Sequence, residues 1–600
     1  MAPNNHTLQS EFPVHTWMRL AWCLPILCGL GMSIPLQQST VGLPIDDAYI
    51  YVKYIDNIAQ GNGYSFNPGE TSFGVTSFVF TVLGSAIKIA FPSWSTISIC
   101  QGLGLLSLAF VLAGIQRVIY RLTGNFSLSW IMGECAAFCR PFYFTASSGL
   151  ETLLFLAVAI WIIDWGLKKP EIHPVWFGIA CACLYLSRPE GVYFTFFFLV
   201  GLVLYPLVFQ EEKIGFAWTK MGSQIAYFLA GFSLMAFPYL AFVKWHSGHW
   251  MPMTFYGKII NRSNFLLEPW SQKIRIGFFV LLDGYKQILS QDTLPFFWAI
   301  LVSLCFLSYG FFAYRCGRKQ PDCRGFAVRF TMISFCLFPF LYGAVFRTSP
   351  VFGGFFVRYI QIMILLIYIE SALALHTICA GLSGISQNRA VRKWIVGGFP
   401  LFLLIPLAYS VKASLGRYTE DIQYYRHHVS VNETVRKWAG DWIDQNTPPE
   451  SRVFTSNSGL GAVGLYCHRF VRDEAGLINA NIHPYLLGFS QGFHHWFKML
   501  EYMKAQRIDY LTTLPPYGTD TRHTQTVAEF QDPSLKGTLL ERMSRIRISR
   551  FIAPENYDLW AEYEKEAEFV DRAPQPATEN RVQVTRWNEI PVLAIRTLSH

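Results

Sequence analysis

Two adjacent carboxylates, Asp46 and Asp47, follow directly after the first long apolar run of the sequence. Adjacent carboxylates repel each other, so one of them can be pushed toward its protonated form. Such a pair suits a general base, alone or beside a metal ligand. The alternative is structural, because an Asp before the run 48–50 could cap a following helix. The pair by itself leaves both interpretations open.

Further polar side chains with possible chemical roles stand at the ends of later apolar runs. These candidates are Glu151, Arg188, Glu190, Tyr256, Lys258 and Arg358. Glu151 could simply complement the dipole of the helix that it begins. Arg188 and Glu190 could form a structural ion pair as readily as a ligand contact. A lone cation at a membrane edge usually extends to water, which is the alternative for Lys258 and Arg358.

The composition indicates which elements must position these residues. The chain has 600 residues, of which 52% are hydrophobic and only 15% are charged. Soluble proteins carry about 25% charged residues. The balance therefore excludes a disordered chain, a fibrous chain and a soluble multidomain enzyme. It predicts a polytopic α-helical membrane protein.

About eleven apolar runs are long enough for a bilayer span of roughly 17–25 residues. We predict spans at 17–36, 95–116, 126–146, 149–166, 174–187, 190–209, 222–244, 293–314, 326–346, 357–380 and 395–411. The run 74–92 is predicted to lie at the membrane interface instead. The first run lacks a small-residue cleavage site, so we expect it to remain as an anchor.

Short basic loops orient the spans, because cytoplasmic loops carry an excess of Lys and Arg. With a cytoplasmic N-terminus, the inner loops hold Arg117, Arg121, Lys168, Lys169, Lys213, Lys220, Arg315, Arg318, Lys319, Arg324, Arg389, Arg392 and Lys393. All the candidate site residues then lie at the outer face. We divide the chain into a membrane domain, 1–411, whose first outer loop (37–93) is catalytic, and an extracytoplasmic α/β domain, 412–600. In this second domain we predict a helix over 435–443 and a strand over 452–455.

The predicted topology brings two aspartates, two glutamates and three cations to one side of the membrane. Transfer of a group from a phosphate leaving group needs such a set, because a base takes the acceptor proton and cations hold the departing phosphate. Nucleic-acid binding is not expected, since no basic stripe is interleaved with aromatic residues. The segment 459–464 matches GxGxxG, but Asp473 and Glu474 come too early for a ribose-binding acid. Tight packing of a strand, loop and helix explains that segment better.

The motifs as a set resemble those of the GT-C superfamily of membrane glycosyltransferases. The closest subgroup contains terminal arabinofuranosyltransferases of the AftB type. The first block has Asp-Asp-Ala-Tyr at 46–49, Gly-x-Gly at 61–63, Phe-Asn-Pro-Gly-Glu at 66–70 and Gly-x-Thr-Ser at 74–77. Shorter matches follow at 148–152, 188–191, 252–258 and 358–359, and weaker ones at 461–464 and 473–477. Met253 stands where the subgroup often has Asn.

The resemblance implies an inverting enzyme of the outer face of a bacterial inner membrane. It would move a sugar, which in the subgroup is a pentofuranose, from a polyprenyl-phosphate carrier to a glycan or lipid acceptor. Asp46 would be the base, and Asp47 would orient the acceptor or hold an optional divalent cation, Mg²⁺ or Mn²⁺. Lys258, Arg188 and Arg358 would contact the carrier phosphate or the sugar.

Three alternatives stay open at this stage. A ligase would move a whole oligosaccharide from the lipid carrier with the same cations. A transporter or flippase would favour charges at mid-membrane and duplicated halves. A scaffold would bind glycan through its C-terminal tryptophans without catalysis. A scaffold would be indifferent to changes at Asp46 and Asp47, which an enzyme would not.

Overall fold

The protein was analysed as a computed structural model, and its chain is mostly helical. The structure describes residues 16–168, 173–209, 214–260, 269–290, 295–316, 323–346, 358–359, 361–385, 388, 404–456, 459–486, 493–513, 524–529, 547–551, 584–587 and 590–593. The predicted inner-loop residues at 169, 213, 318–319 and 389–393 lie outside these ranges.

In the described residues, seventeen α-helices lie before residue 431. The first eleven are α1 Thr16–Gln38, α2 Asp46–Ala59, α3 Phe78–Ala90, α4 Thr96–Thr123, α5 Phe126–Ala137, α6 Arg140–Ser147, α7 Thr152–Lys168, α8 Pro174–Ser187, α9 Gly191–Phe209, α10 Ile214–Ser247 and α11 Met253–Ile260. The next six are α12 Trp270–Ser290, α13 Pro295–Cys316, α14 Cys323–Phe335, α15 Phe338–Phe346, α16 Gln361–Ile385 and α17 Leu404–Ser430.

Five helical segments in the described residues are long and apolar enough to cross a membrane. They are Leu20–Gln38, Thr96–Thr123, Gly191–Val208, Met221–Ser247 and Gln361–Ser383. Shorter apolar helices are Phe78–Ala90, Pro174–Ser187 and Ile300–Phe312. These helices support an integral membrane protein, and the count of about eleven spans stays a prediction.

Two of the predicted spans are each divided into two helices. The run 126–146 becomes α5 and α6, and the run 326–346 becomes α14 and α15. In both cases a proline, Pro141 or Pro339, lies in the first turn of the second helix. Proline has no backbone N–H to donate to the preceding turn, which favours a break at these positions, whereas Pro25 and Pro35 lie inside the uninterrupted α1.

Helix α17 runs without interruption through the predicted domain boundary at residue 411. It continues into a π-helical segment, Val431–Arg436, and then into α18, Lys437–Asn446. Strand β1, Arg452–Ser456, follows. The helix and strand predicted over 435–443 and 452–455 correspond to α18 and β1.

The C-terminal region builds a five-stranded mixed sheet. Its other strands are β2 Phe470–Asp473, β3 Tyr510–Thr513, β4 Thr524–Glu529 and β5 Arg547–Phe551, in the order β2-β1-β3-β5-β4. Strand β1 pairs in parallel with β2 and β3, and β5 is antiparallel to β3 and β4. The helices here are α19 Leu460–Tyr466, α20 His483–Leu486 and α21 Phe493–Ala505, with a 3₁₀ turn at Ala480–Ile482 and a hairpin of β6 Val584–Trp587 with β7 Ile590–Leu593.

One hydrophobic core joins the first loop region to the C-terminal region. Ala48 and Tyr49 of α2 pack in the same buried cluster as Ala462 and Val463 of α19 and Val471 of β2. Burial of apolar side chains contributes roughly 25 cal/mol per Å² removed from water. The shared core therefore fixes the aspartate pair relative to the sheet, although the two are far apart in sequence.

Candidate active site

Arg188 is the centre of a buried ionic cluster. It ends α8, only 3% of its surface is exposed, and the turn that follows carries Glu190. Its Nη2 donates to Glu190 Oε1 at 3.0 Å and its Nε to Glu190 Oε2 at 3.2 Å, while Nη1 donates to Glu151 Oε1. Burial alone lowers the pKa of Arg188, but Glu190 and Glu151 outweigh it and raise that pKa well above its ordinary value. The guanidinium therefore stays charged and holds both glutamates.

Arg358 joins this cluster to the aspartate pair. Its Nη2 donates to Asp47 Oδ2 at 2.7 Å and to the Tyr359 hydroxyl at 3.1 Å. The ring of Tyr359 is close to two cations, because its centroid is 4.9 Å from the Arg358 Cζ and 5.1 Å from the Arg188 Cζ. Both guanidiniums can thus be stabilised by the ring face. Five of the predicted site residues, Asp47, Glu151, Arg188, Glu190 and Arg358, are brought together here.

Two buried polar atoms of this cluster have no hydrogen-bond partner among the described residues. They are Arg358 Nε and Glu151 Oε2. A buried donor or acceptor without a partner is costly, typically about 1–3 kcal/mol. Arg188, Glu190, Arg358 and Tyr359 line one pocket together with apolar side chains, namely Phe155, Leu156, Phe335, Phe338 and Ile362. An anion entering the pocket could accept from Arg358 Nε.

The two aspartates face different partners. Asp46 Oδ2 accepts from the Gly461 N–H and Oδ1 from the Ala462 N–H, each at 2.9 Å. Its side chain is 18% exposed, against 47% for Asp47, which faces Arg358. Consecutive residues of a helix point about 100° apart, so the Asp46 side chain turns to the C-terminal region and the Asp47 side chain to Arg358.

Asp46 does cap a helix, but this helix is α19 and not the one that follows Asp46 in sequence. Helix α2 begins at Asp46 itself, with Ile45 as its N-cap and no side-chain hydrogen bond there. The Asp46 carboxylate caps α19 instead, where it satisfies two amides of the first turn. Free N–H groups at a helix start need such acceptors.

The other motif residues of the first loop also hold the C-terminal region. Asn67 exchanges two hydrogen bonds of 2.9 Å with the backbone of Val471 in β2. Glu70 pairs with Arg472 of the same strand at 2.6 Å. The motif at 66–70 thus binds strand β2 at the edge of the sheet, and this structural role accounts for its Asn and Glu side chains.

Asp473 gives this junction a pH dependence. It is buried, and burial raises its pKa to about 6 although the Leu477 and Ile478 amides lower it. Because this lies above the unfolded value of about 3.9, the group favours the folded state fully below about pH 4, and that contribution is lost as the pH rises through about 6. The two pKa values differ by the equivalent of roughly 3 kcal/mol.

We therefore expect Asp473→Asn to flatten the pH dependence of unfolding. At pH 4.5 the variant should melt near the wild type, because Asp473 is then mostly protonated and uncharged in the folded protein. At pH 7 the melting temperature of the variant should be higher relative to that of the wild type than at pH 4.5, because the variant carries no buried charge at residue 473. Thermal unfolding of both proteins in the same detergent measures the difference. Melting curves that stay parallel over this range would contradict the assignment.

Two predicted site residues are not part of the described cluster. The Tyr256 ring is 4.7 Å from His249 and 6.1 Å from His483, and none of its described contacts reaches the arginine cluster. Lys258 lies in α11, but its side chain is outside the described residues. Their proposed contacts with substrate stay predictions.

Sequence reasoning did not single out three residues that the structure adds. The Tyr359 ring is close to both guanidiniums. Thr152 Oγ1 accepts from Arg188 at 3.3 Å, and Arg436 lies 3.6 Å from Asp46. Tyr359 and Thr152 are each adjacent to a predicted residue, so the motifs themselves carried a signal. Arg436 has no such signal, because only the fold brings it to α2.

The described residues do not gather a metal site. They contain no group of three or more His, Cys, Asp or Glu side chains that could hold an ion. Asp47, the predicted ligand, is paired with Arg358. A divalent cation at Asp47 therefore stays a prediction, and the proposed transfer reaction does not depend on it.

Neither a protein-family model nor a curated protein matches this sequence. Its fold is similar to solved structures. ArnT from Cupriavidus metallidurans bound to undecaprenyl phosphate aligns with a TM-score of 0.53 at 13% identity, over 90% of this chain and 99% of that one. The apo oligosaccharyltransferase of Archaeoglobus fulgidus gives 0.53 at 13% identity, over 83% of this chain and 69% of that one.

A third structure agrees with these two. Archaeal oligosaccharyltransferase AglB from Archaeoglobus fulgidus, in complex with an inhibitory peptide and a dolichol-phosphate, gives a TM-score of 0.50 at 12% identity, over 83% of this chain and 69% of that one. These neighbours are GT-C glycosyltransferases, so a mostly helical fold of this kind is supported, whereas the count of about eleven spans and the extracytoplasmic C-terminal domain stay predictions. At such low identity the likeness concerns the fold alone, and the AftB-type subgroup stays a prediction.

Proposed function

We propose that this chain is a membrane glycosyltransferase that takes its sugar from a polyprenyl-phosphate carrier. The observation that carries the proposal is the Asp47–Arg358 pair. A half-exposed carboxylate is held at 2.7 Å by a largely buried guanidinium that lines the pocket and has an unpartnered Nε. This gives a base and an anion ligand within one site, which is the pair that transfer from a lipid phosphate requires.

Asp47 is the stronger candidate for the base. Both oxygens of Asp46 already accept backbone amides, whereas Asp47 is the more exposed of the two carboxylates. A general base must be within hydrogen-bond reach of the proton that it removes. We therefore assign to Asp47 the role that the motif resemblance gave to Asp46.

Arg358 would serve the leaving group. In the substrate-free protein it pairs with Asp47, and an incoming carrier phosphate would take over that guanidinium as a bidentate partner. The exchange frees Asp47 for the acceptor hydroxyl. Arg188 is a weaker candidate for the phosphate, because Glu151 and Glu190 already offset its charge.

The reaction then balances without a general acid. The acceptor oxygen forms a bond to the anomeric carbon and gives its proton to Asp47. The bond from that carbon to the phosphate oxygen breaks, and its electron pair leaves with the polyprenyl phosphate, whose charge Arg358 stabilises. Attack opposite to the leaving group inverts the anomeric centre.

The structural neighbours support the carrier chemistry. ArnT is bound to undecaprenyl phosphate, and AglB is in complex with a dolichol-phosphate. We extend the proposal to a bacterial inner membrane, with the C-terminal region outside the cytoplasm and a glycan or lipid acceptor. A pentofuranose such as arabinofuranose is the sugar that the motif resemblance favours.

Release of free polyprenyl phosphate tests the function directly. Purified protein in detergent is incubated with a panel of radiolabelled polyprenyl-phosphate sugars and a membrane extract as acceptor. We expect release from at least one donor, and the responding donor identifies the sugar. Transfer only from a lipid-linked oligosaccharide would favour a ligase. No release from any donor, with the protein shown to be folded, would contradict the proposal.

A further inference from the structure

The glycine-rich segment 459–464 has the spacing of a phosphate-binding loop, yet its helix amides hold a carboxylate of the same chain. Gly461 and Ala462 donate to the two oxygens of Asp46 across 415 and 416 positions of sequence. The segment thus does not act as a ligand site, because Asp46 already occupies the start of α19. Its effect must be on Asp46 and on whatever Asp46 positions.

The backbones themselves are in close contact at this point. A Cβ atom on Gly461 would overlap the carbonyl oxygen of Asp46, and one on Gly464 would meet the ring of Phe66. Only glycine therefore lets α19 approach the first turn of α2 this closely. Residues with larger side chains would push the two elements apart.

A cation strengthens the same contact. Arg436 Nη1 lies 3.6 Å from Asp46 Oδ1 and donates to Asn432 Oδ1 at 2.6 Å, and Asn432 in turn donates to the Leu43 carbonyl at 2.8 Å. Asn432 is fully buried and belongs to the π-helical segment. The Asp46 carboxylate is therefore held from two elements of the C-terminal region.

The first turn of α2 depends on this contact for its position. Ile45 gives it no side-chain cap, although its carbonyl accepts from the Ala48 N–H at 3.2 Å. The bonds of Asp46 to α19 add a restraint from outside the helix. The neighbouring residue Asp47 points to Arg358 only while this turn keeps its orientation. A displacement of about 1 Å at a reacting group can lower a rate by about 10²-fold.

We propose that Asp46 is a positioning residue, held by α19 so that Asp47 stays aimed at Arg358. The C-terminal region thereby acts on the active site through α19, by way of Asp46. This inference rests on the proposed function, because it assigns to Asp46 a role in supporting the base Asp47.

Substitution by asparagine separates positioning from proton transfer at Asp46. Asparagine keeps one acceptor oxygen for the two α19 amides and is a good helix-capping residue, whereas alanine keeps none, and neither is a base. We expect Asp46→Asn to keep kcat within about 10-fold of the wild type, and Asp46→Ala to lower it about 10²-fold. KM for the donor should change little in both, because Arg358 and Arg188 are untouched. The donor is the polyprenyl-phosphate sugar that the panel identifies.

A second pair of variants separates positioning from simple docking of the C-terminal region. Gly461→Ala should reproduce the loss of kcat, because its methyl group displaces Asp46. Glu70→Gln weakens the same junction by removing the charge paired with Arg472, without touching α2. We expect it to lower the melting temperature and to leave kcat near the wild-type value. An equal loss of kcat in Glu70→Gln and Gly461→Ala would overturn the inference.

Hydrogen exchange gives a readout that does not require activity. The amides of Gly461 and Ala462 should exchange faster in Asp46→Ala than in the wild type, and Asp46→Asn should lie between them. Unchanged exchange in Asp46→Ala would overturn the positioning role, as would an Asp46→Asn variant as inactive as Asp46→Ala. Inactive wild type with the expected exchange pattern would instead count against the proposed function alone.

Discussion

Asp47→Asn is expected to lower kcat by about 10²–10⁴-fold, the usual contribution of a general base. The asparagine amide occupies the same volume but cannot take the acceptor proton. Arg358 loses its carboxylate partner, so the guanidinium is more available to the carrier phosphate and KM for the donor should stay the same or fall. Initial rates of polyprenyl phosphate release over a range of donor concentrations separate the two parameters.

The matched control is the same substitution one residue earlier. Asp46→Asn removes a carboxylate of equal size from the same helical turn and should keep kcat within about 10-fold of the wild type. Both variants should melt within a few degrees of the wild type. If Asp46→Asn were inactive and Asp47→Asn active, the base would be Asp46, as the motif resemblance implied, and the assignment made here would be wrong.

The grouping of the site could be predicted from sequence because the membrane limits where polar residues can lie. Glu151, Arg188 and Arg358 each stand at the end of an apolar run, and basic loops assign those ends to one face. Side chains at the same ends of packed helices then meet, as the Glu151–Arg188 pair does. The division of two spans was not predicted, because a proline alone does not mark a break: Pro25 and Pro206 lie inside uninterrupted helices.

The different roles of Asp46 and Asp47 could not be predicted from sequence. They depend on α19 reaching the first turn of α2 from more than 400 positions away, and no local pattern encodes that contact. The glycines at 459–464 indicated part of this contact, because they predicted close packing of a strand, loop and helix. The sequence did not show that the partner in this packing is the aspartate pair.

Arg358→Gln is the second change with a large expected effect, a loss of about 10²–10³-fold in kcat. Removing one donor that stabilises charge developing in a transition state typically has this effect. Glutamine is polar enough to remain in the pocket but carries no charge for the departing phosphate. Arg358→Lys should recover part of the rate, because it restores the charge without the planar fork. Release of polyprenyl phosphate at saturating donor measures both.

Arg188 provides the contrasting case, because its charge is already committed to Glu151 and Glu190. Removing it would leave two buried carboxylates unpaired, and breaking a buried pair in this way costs roughly 3–5 kcal/mol. We therefore expect Arg188→Gln to act first on folding, seen as a lower melting temperature and yield, whereas Arg358→Gln acts on turnover in a protein of near-normal stability. A stable Arg188→Gln variant with no turnover, beside a fully active Arg358→Gln variant, would exchange the roles of the two arginines. The carrier phosphate would then bind on the Glu151 side of Tyr359.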